Sequence, residues 1–305
     1  MTEHIPVLIA EILAFLKSRP KIGKVLDCTL GLGGYSEAVL ETFSGVQVWG
    51  LDQDDEAIRI ATDRLEPFGN RFHPIHGNFA EVAGLAGNAG PFDAILFDLG
   101  VSNLQITEGH RGFSFQSDGP LDMRMNRHFS LTAEFLVNNW TEKELSDIFW
   151  KYGEERYSRQ IARGILRHRE KTGKIATTGE LVSVIRETLP APVQRKMGGH
   201  PARKVFQALR IAVNDELAAL ELGLSGAFEL AGPGASIAVV SYHSLEDRIV
   251  KIFFRERQKE NLGTIETKRP LIPSDDEIER NYKARSAKLR LFVMNEPGKE
   301  KKTKW

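Results

Sequence analysis

Residues 24–54, KVLDCTLGLGGYSEAVLETFSGVQVWGLDQD, constrain the fold of this chain more than any other stretch. An apolar run through Val25, Leu26 and Asp27 enters a loop carrying Gly31, Gly33 and Gly34. A helix-length segment follows, and a second apolar run, 46–51, ends on Asp52. Strand, glycine turn, helix and strand make a βαβ unit, which commits the chain to a parallel sheet with helices on its faces. Glycine lets backbone approach a ligand closely, and a carboxylate closing the next strand can accept hydrogen bonds from both hydroxyls of a ribose. The pattern is that of a nucleoside pocket, set against the plainer reading of a tight strand-to-helix turn.

The loop lacks the devices that hold phosphate. A G-x-G-x-x-G fingerprint starting at Gly31 needs glycine at 36, where this chain has Ser36, and no G-x-x-x-x-G-K-[ST] follows the strand. A nucleoside cofactor without phosphate fits what remains, and S-adenosylmethionine is the commonest of that kind. Asp27 and Asp52, at the ends of the first two strands, support it.

Whole-chain properties narrow the class further. A chain of 305 residues forms one large domain or a domain carrying an insertion. The single cysteine, Cys28, excludes a disulfide framework and a cysteine-based zinc site, and its place in an apolar strand predicts a buried thiol. No His, Asp and Glu cluster has metal-ligand spacing, so no metal is expected. The N-terminal HIPVLIAEILAFL is interrupted by Glu11 and has neither a basic flank nor a cleavage site, so it predicts an amphipathic helix and a cytoplasmic protein without membrane association. Net charge is zero but unevenly spread. Residues 1–110 hold 7 Lys/Arg against 15 Asp/Glu, a net of −8; residues 155–210 hold 13 against 4, a net of +9. The tail 283–304 holds 8 against 2, a net of +6. An acidic cofactor half with basic segments suits a polyanionic substrate, and equally describes solvated helix faces.

Apolar runs at 24–28, 46–51, 71–76 and 94–99 predict strands, separated by helices. Residues 110–128, HRGFSFQSDGPLDMRMNRH, lack periodicity and read as a long ordered loop of the functional kind. Helices are expected from the capping box Thr141-x-x-Glu144 to Gly153, over 155–169, over 178–189, and as one long helix from Pro201 past Asn214 toward Leu222. Strand character returns at 235–242, a helix follows over 245–257, and a last strand is expected over 289–294. The architecture expected is an α/β domain made from both ends of the chain, with a helical insertion. Residues 1–110 and 206–305 would form the cofactor domain, and 111–205 an inserted helical domain for substrate recognition.

Several segments resemble the ribosomal RNA small subunit methyltransferase H family. They are HIPVLIAEIL, DCTLGLGGYS, GLDQD, HGNF, FDLGVSN, RGFSF with DGPLDMRM, HPARKVFQALRIAVNDEL, SYHSLEDRIVK and ARSAKLR, in order along nearly the whole chain. RGFSF…DGPLDMRM and YHSLEDR are not general methyltransferase features. The resemblance implies a Rossmann-like seven-stranded S-adenosylmethionine-dependent methyltransferase fold, and methyl transfer from S-adenosylmethionine to N4 of a cytosine in the decoding region (P site) of 16S rRNA, within the small ribosomal subunit. It also implies cofactor contacts at Gly33, Gly34, Tyr35, Asp52, Phe79, Asp98 and Gln105. Tyr35 stands where the family usually has His, which leaves backbone contacts possible. Ser102–Gln105 reads Ser-Asn-Leu-Gln where Ser-Ser-Pro-Gln is usual, so the loop bearing Gln105 loses a stiffening proline.

An exocyclic cytosine amine is a poor nucleophile because its lone pair is delocalised into the ring. Asp98, ending the fourth strand, could accept its N–H bonds as a catalytic group or bind the methionine amino group of the cofactor. DLGVSN lacks the Asp/Asn-Pro-Pro-aromatic motif of many amino-methyltransferases. Asn78 and Phe79 after the third strand could frame adenine. His200, Arg203, Lys204 and Arg210 at helical spacing, and Ser241, Tyr242 and His243 at a strand end, are the substrate-contact candidates; Tyr242 or His243 could stack on an extruded base, while a helix-capping role is the alternative for His243. A DNA amino-methyltransferase and a non-catalytic RNA-binding module on the same fold are the rival readings. The sequence leaves monomer or homodimer open.

Overall fold

The computed structural model describes residues 6–296 and divides into two compact units, 1–100 with 217–305, and 101–216. Residues 1–5, which open the expected N-terminal helix motif, and the lysine-rich end of the tail, 297–305, lie outside the described residues.

The first unit is built on strands β1 (Lys24–Asp27), β2 (Gln47–Asp52), β3 (Phe72–His76), β4 (Phe92–Asp98), β5 (Ala231–Ser241), β6 (Gly263–Ile265) and β7 (Lys288–Met294). They form one sheet in the order β3-β2-β1-β4-β5-β7-β6. Pairing is parallel from β3 through β5, and β7 runs antiparallel to both β5 and β6. Before the second unit come helices α1 (Ile9–Lys17), α2 (Gly34–Thr42), α3 (Asp55–Leu65) and α4 (Val82–Ala86).

Side chains alternate along a strand, so a sheet with helices on both faces needs apolar residues at every position. Val25, Val48, Ala94 and Val240 join a core with Ile12, Leu16, Leu40 and Leu65 of the N-terminal helices. Their neighbours Leu26, Ile95, Phe97, Ile237 and Val239 join the opposite core, with Leu220, Leu224, Val250 and Phe254. That two-sided burial is why the strands read as near-continuous apolar runs. Strand β6, only three residues long at the sheet edge, has no such run and was not visible in the sequence pattern.

The second unit is helical: α5 (Asn103–Thr107), α6 (Ala133–Asn139), α7 (Glu142–Lys151), α8 (Ser158–Lys171), α9 (Thr178–Thr188), α10 (Ala191–Lys196) and α11 (Arg203–Asn214). Its own core gathers Leu136, Phe149, Ile161, Ile165, Leu181, Phe206 and Leu209. Thr141 with Glu144 and Thr177 with Glu180 close reciprocal capping boxes on α7 and α9. The aperiodic loop after Arg111 is ordered by packing and backbone bonds. Phe113, Leu121, Met123 and Met125 are buried in the core. The Arg111 guanidinium donates to the carbonyls of Arg124 and Met125, and the Asn214 side chain bonds both Met123 and Met125.

This unit is wider than the expected 111–205. Phe206, Leu209, Val213 and Asn214 pack on or bond to its interior, so α11 belongs wholly to it. The long helix expected from Pro201 toward Leu222 is two helices, because Asp215 adopts a left-handed conformation (φ 48°) at the end of α11. The chain resumes as α12 (Glu216–Leu230), followed by α13 (Ser244–Lys259) and the short α14 (Asp275–Arg280). No helix among the described residues is long and apolar enough to cross a membrane.

Gly153, where the chain leaves α7, tests the second unit's packing. An added Cβ would lie 2.5 Å from the Lys204 carbonyl oxygen and 2.8 Å from that of Phe149, and backbone cannot step aside as a side chain can. Gly153→Ala should lower the stability read by urea unfolding by about 1–3 kcal/mol.

Candidate cofactor site

The chain order of the sheet reverses between β1 and β4, where β1 is followed outward by β2 on one side and β4 by β5 on the other. Ligands of open parallel sheets bind beyond the carboxyl ends of the strands at such a switch point. The structure brings the loop after β1, Asp52, Asn78 and Asp98 to those ends.

The loop is held by two carboxylates. Asp27, nearly fully buried at the end of β1, accepts the Ser36 hydroxyl (2.8 Å) and the Thr29 N–H (3.2 Å). Ser36, the residue that breaks the dinucleotide fingerprint, is therefore a buried clamp on the loop. Asp52 accepts the Gly31 N–H at 2.8 Å through one carboxyl oxygen and the Asp54 N–H at 3.0 Å through the other. The Gln53 N–H is a third donor, which leaves about one of the carboxylate's roughly four lone pairs for a ribose hydroxyl.

The glycines have separate reasons. Gly33 is the N-cap of α2 with φ 81°, a conformation that disfavours other residues. A Cβ at Gly34 would strike the Pro6 ring at 2.8 Å, so its closeness is to protein. A Cβ at Gly31 would meet only the Thr29 carbonyl, at 3.9 Å, which leaves open space beside Asp52. That space and the unsaturated Asp52 carboxyl fit the ribose of S-adenosylmethionine. Tyr35 turns its ring into the core and donates its hydroxyl to the Val7 carbonyl (2.5 Å), so a ligand could meet this residue only through its backbone.

On the β3 side, Asn78 accepts the Ala80 N–H and donates to the Gln53 side chain at 3.0 Å, joining the loops after β2 and β3. Phe79 is half-buried, set edge-on to Phe97 with ring centroids 5.8 Å apart and packed over Gly223. On the β5 side, the Tyr242 hydroxyl donates to Asp98 Oδ1 at 2.7 Å, and Thr29 Oγ1 lies 2.6 Å from the Asp98 backbone N–H, which donates to it. Burial pushes the Asp98 carboxyl up to about 7 against the opposing pull of the Tyr242 hydrogen bond, with Asp27 and Glu246 adding repulsion. Burial likewise raises Asp27 and Asp52 to about 6. The Cys28 thiol is buried and pushed well above its usual range, which makes it inert.

Two substrate candidates at the β5 end have structural roles. Ser241 is buried, with its hydroxyl 3.4 Å from the Lys288 carbonyl on β7, so it does not reach the strand-end crevice. His243 is the N-cap of α13: its Nδ1 accepts the Glu246 N–H, while the Glu246 carboxylate accepts the N–H groups of Tyr242 (2.8 Å) and His243 (3.2 Å). This is the helix-capping role given as the alternative for His243. The bond from Tyr242 to Asp98 escaped the sequence, which carries no signal for a contact across 144 positions.

Within the second unit, His200 stacks on Phe115 (centroids 4.8 Å apart), and its Nε2 lies 3.0 Å from the Arg186 guanidinium. Burial and Arg186 lower the pKa of His200. Arg203 is exposed and Lys204 donates to the Glu154 carbonyl. Arg210 is held bidentate by Glu216 at 2.8 and 2.9 Å, through Nε and Nη2. Gln105 is buried in this unit, where its side chain accepts the Ser102 N–H in a capping box on α5. That box ties Gln105 to the helix start and does the stiffening that the missing proline would do.

A seven-stranded sheet of this order with β7 reversed, bearing acids at the ends of β1, β2 and β4, defines a Rossmann-like S-adenosylmethionine-dependent methyltransferase. The chain belongs to the MraW methylase family, whose model matches residues 1–295. It is similar to the ribosomal RNA small subunit methyltransferase H of Symbiobacterium thermophilum, 45% identical over 98% of this chain and 99% of that one. It is also similar to the protein of the same name from Carboxydothermus hydrogenoformans, 47% identical over 94% and 96% of the two chains. Among solved structures, an rRNA methylase from Streptococcus thermophilus aligns over 96% of this chain and 100% of that one, at 10% identity and a TM-score of 0.44.

Three raised carboxyls make stability depend on pH. Each binds its proton more tightly in the folded chain than in the unfolded one, so its contribution is complete below about pH 4 and is lost as pH rises through about 6 to 7. The lowered His200 acts in the opposite sense over the same range, and Asp98→Asn separates the two. Without cofactor, the thermal midpoint of the unaltered chain should fall more between pH 5 and pH 8 than that of Asp98→Asn. Equal slopes would show that Asp98 is not raised.

Proposed function

We propose that this chain transfers a methyl group from S-adenosylmethionine to the exocyclic N4 amine of a cytosine in the decoding region of 16S rRNA, presented by the small ribosomal subunit. The observation that carries this reading is identity of 45–47% over nearly the full length to relatives named ribosomal RNA small subunit methyltransferase H. It is supported by a sheet that sets Asp52 and Asp98 at the ends of the two strands flanking β1.

The cofactor, when bound, supplies an electrophilic sulfonium methyl. Asp52 accepts a ribose hydroxyl, and the family pattern adds the backbone of Gly33, Gly34 and Tyr35, the ring of Phe79, and Gln105. Tyr242 holds Asp98 Oδ1 and leaves Oδ2 facing other partners. That oxygen would accept an amine N–H, favouring the pyramidal nitrogen needed for in-line attack, and would take the proton released as the N–C bond forms and the sulfur–methyl bond breaks with its electron pair left on sulfur. The rest of the rate comes from alignment. His200 and Arg203 are RNA contacts in this reading.

Tritiated cofactor with isolated small subunits, followed by nucleoside analysis, should place label on N4-methylcytidine of 16S rRNA; label in DNA, or in no nucleic acid, overturns the proposal. Asp52→Ala should weaken cofactor binding by about tenfold or more in calorimetry, since charge-assisted hydrogen bonds are lost. A carboxylate accepts a proton only when ionised, so the single-turnover rate should rise with pH through about 7. Asp98→Asn should slow it by about 10²–10⁴. Tyr242→Phe removes the hydrogen bond that holds the carboxyl down and should move the same limb to higher pH.

A further inference from the structure

The second unit carries a cavity of about 460 Å³ between the end of α7 and the start of α8, which none of the residues discussed above lines. Trp150, Arg156, Tyr157 and Arg159 line it, with Ser146 and Ser158. Trp150 is 62% exposed, unusual for the largest apolar side chain. Tyr157 is half-buried and packs on the core of the unit. Arg156 and Arg159 are exposed and make no ion pair or hydrogen bond with any described residue. The one carboxylate of the lining, Asp147, is already ion-paired with Lys143 at 2.5 Å. The lining therefore presents two unopposed guanidinium groups beside two aromatic rings.

We propose that this cavity binds an unpaired nucleotide of RNA, distinct from the nucleotide that is methylated. A stacking surface beside guanidinium groups is the chemistry with which proteins take single-stranded nucleic acid: a base lies on the aromatic face, and arginine meets the flanking phosphates. The volume suits a small ligand such as one nucleotide, where duplex recognition would need an extended surface. Charge favours the same occupant, because the segment 155–210 that supplies Arg156 and Arg159 carries a net +9. Aliphatic residues, which would favour an apolar peptide segment, are absent from the lining. The inference rests on RNA being the substrate and adds a second point of contact with it.

The test measures binding of a fluorescent single-stranded decauridylate to the full chain by anisotropy, across a series of salt concentrations. Trp150→Ala should weaken binding about tenfold, and Trp150→Phe, which keeps a stacking ring, should restore most of it. The double variant Arg156→Gln with Arg159→Gln should reduce the slope of log affinity against log salt by about 1.4, the value for two phosphate contacts on a single strand. These side chains are exposed, so thermal midpoint and cofactor affinity should stay unchanged and serve as controls for folding. No binding by the unaltered chain, or affinity and slope indifferent to all three variants, overturns the proposal. A change in slope with an unaffected Trp150→Ala also overturns it, leaving a phosphate patch or a site for an acidic protein surface. Methyl transfer to small subunits is measured in parallel. If methylation proceeds while the variants bind normally, this inference alone fails; if binding depends on the cavity and no RNA is methylated, the functional proposal alone fails.

Discussion

The register of β4 between β1 and β5 is the constraint on which the rest depends. Asp27 lies opposite Leu96, Asp98 lies opposite Val240, and the bonds from Cys28 to Leu96 and from Leu99 to Val240 extend the same pairing past the strand ends. This register brings the acid of one strand within reach of Tyr242, two residues beyond its partner on the next. A slip of one residue would turn Asp98 to the other face and carry the buried row Ile95 and Phe97 with it. Two apolar cores, one on each face, specify the register because each accepts only one set of alternating side chains. The site is thus as well defined as the packing beneath it.

Placing three carboxyl groups in this crevice carries a cost that the protein distributes among local partners. Ser36 and Thr29 hold Asp27, three backbone N–H groups hold Asp52, and Tyr242 holds Asp98. Among the described residues no cation is bonded to any of the three, so burial still keeps each carboxyl above its ordinary range. A cofactor that bears a sulfonium and an ammonium group would relieve that strain directly. An anionic, phosphate-bearing nucleotide would add to it. The electrostatics of the crevice therefore favour the same cofactor as its shape.

Much of the cofactor half was legible in the sequence because its signals are local. A glycine turn between two apolar runs and an acid at the end of the second lie within about thirty residues, and βαβ geometry does the rest. The substrate residues were legible only as types. Arg210 at helical spacing reads as an RNA contact, and only the structure shows Glu216 holding it on two nitrogens. Tyr242 and His243 are adjacent in sequence, yet one donates a hydrogen bond to Asp98 across the sheet and the other caps a helix. Short elements such as β6, α10 and α14 have too few residues for any period to emerge, and Asp215 ends α11 by a backbone conformation that no apolar pattern encodes.

By itself, the sequence determined the α/β class, the cofactor type, the acids at 52 and 98, and membership in a family whose motifs run the length of the chain. The class and the cofactor type follow from periodicity and spacing, which act between near neighbours, and the family membership from the motifs themselves. Only the tertiary structure decided that Tyr242 is the partner of Asp98, that His243 caps α13, and that residues 101–216 form one unit with its own core. It alone set Trp150 beside two unopposed arginines. Such outcomes depend on which side chains meet across the sheet and between helices, and that is settled by packing.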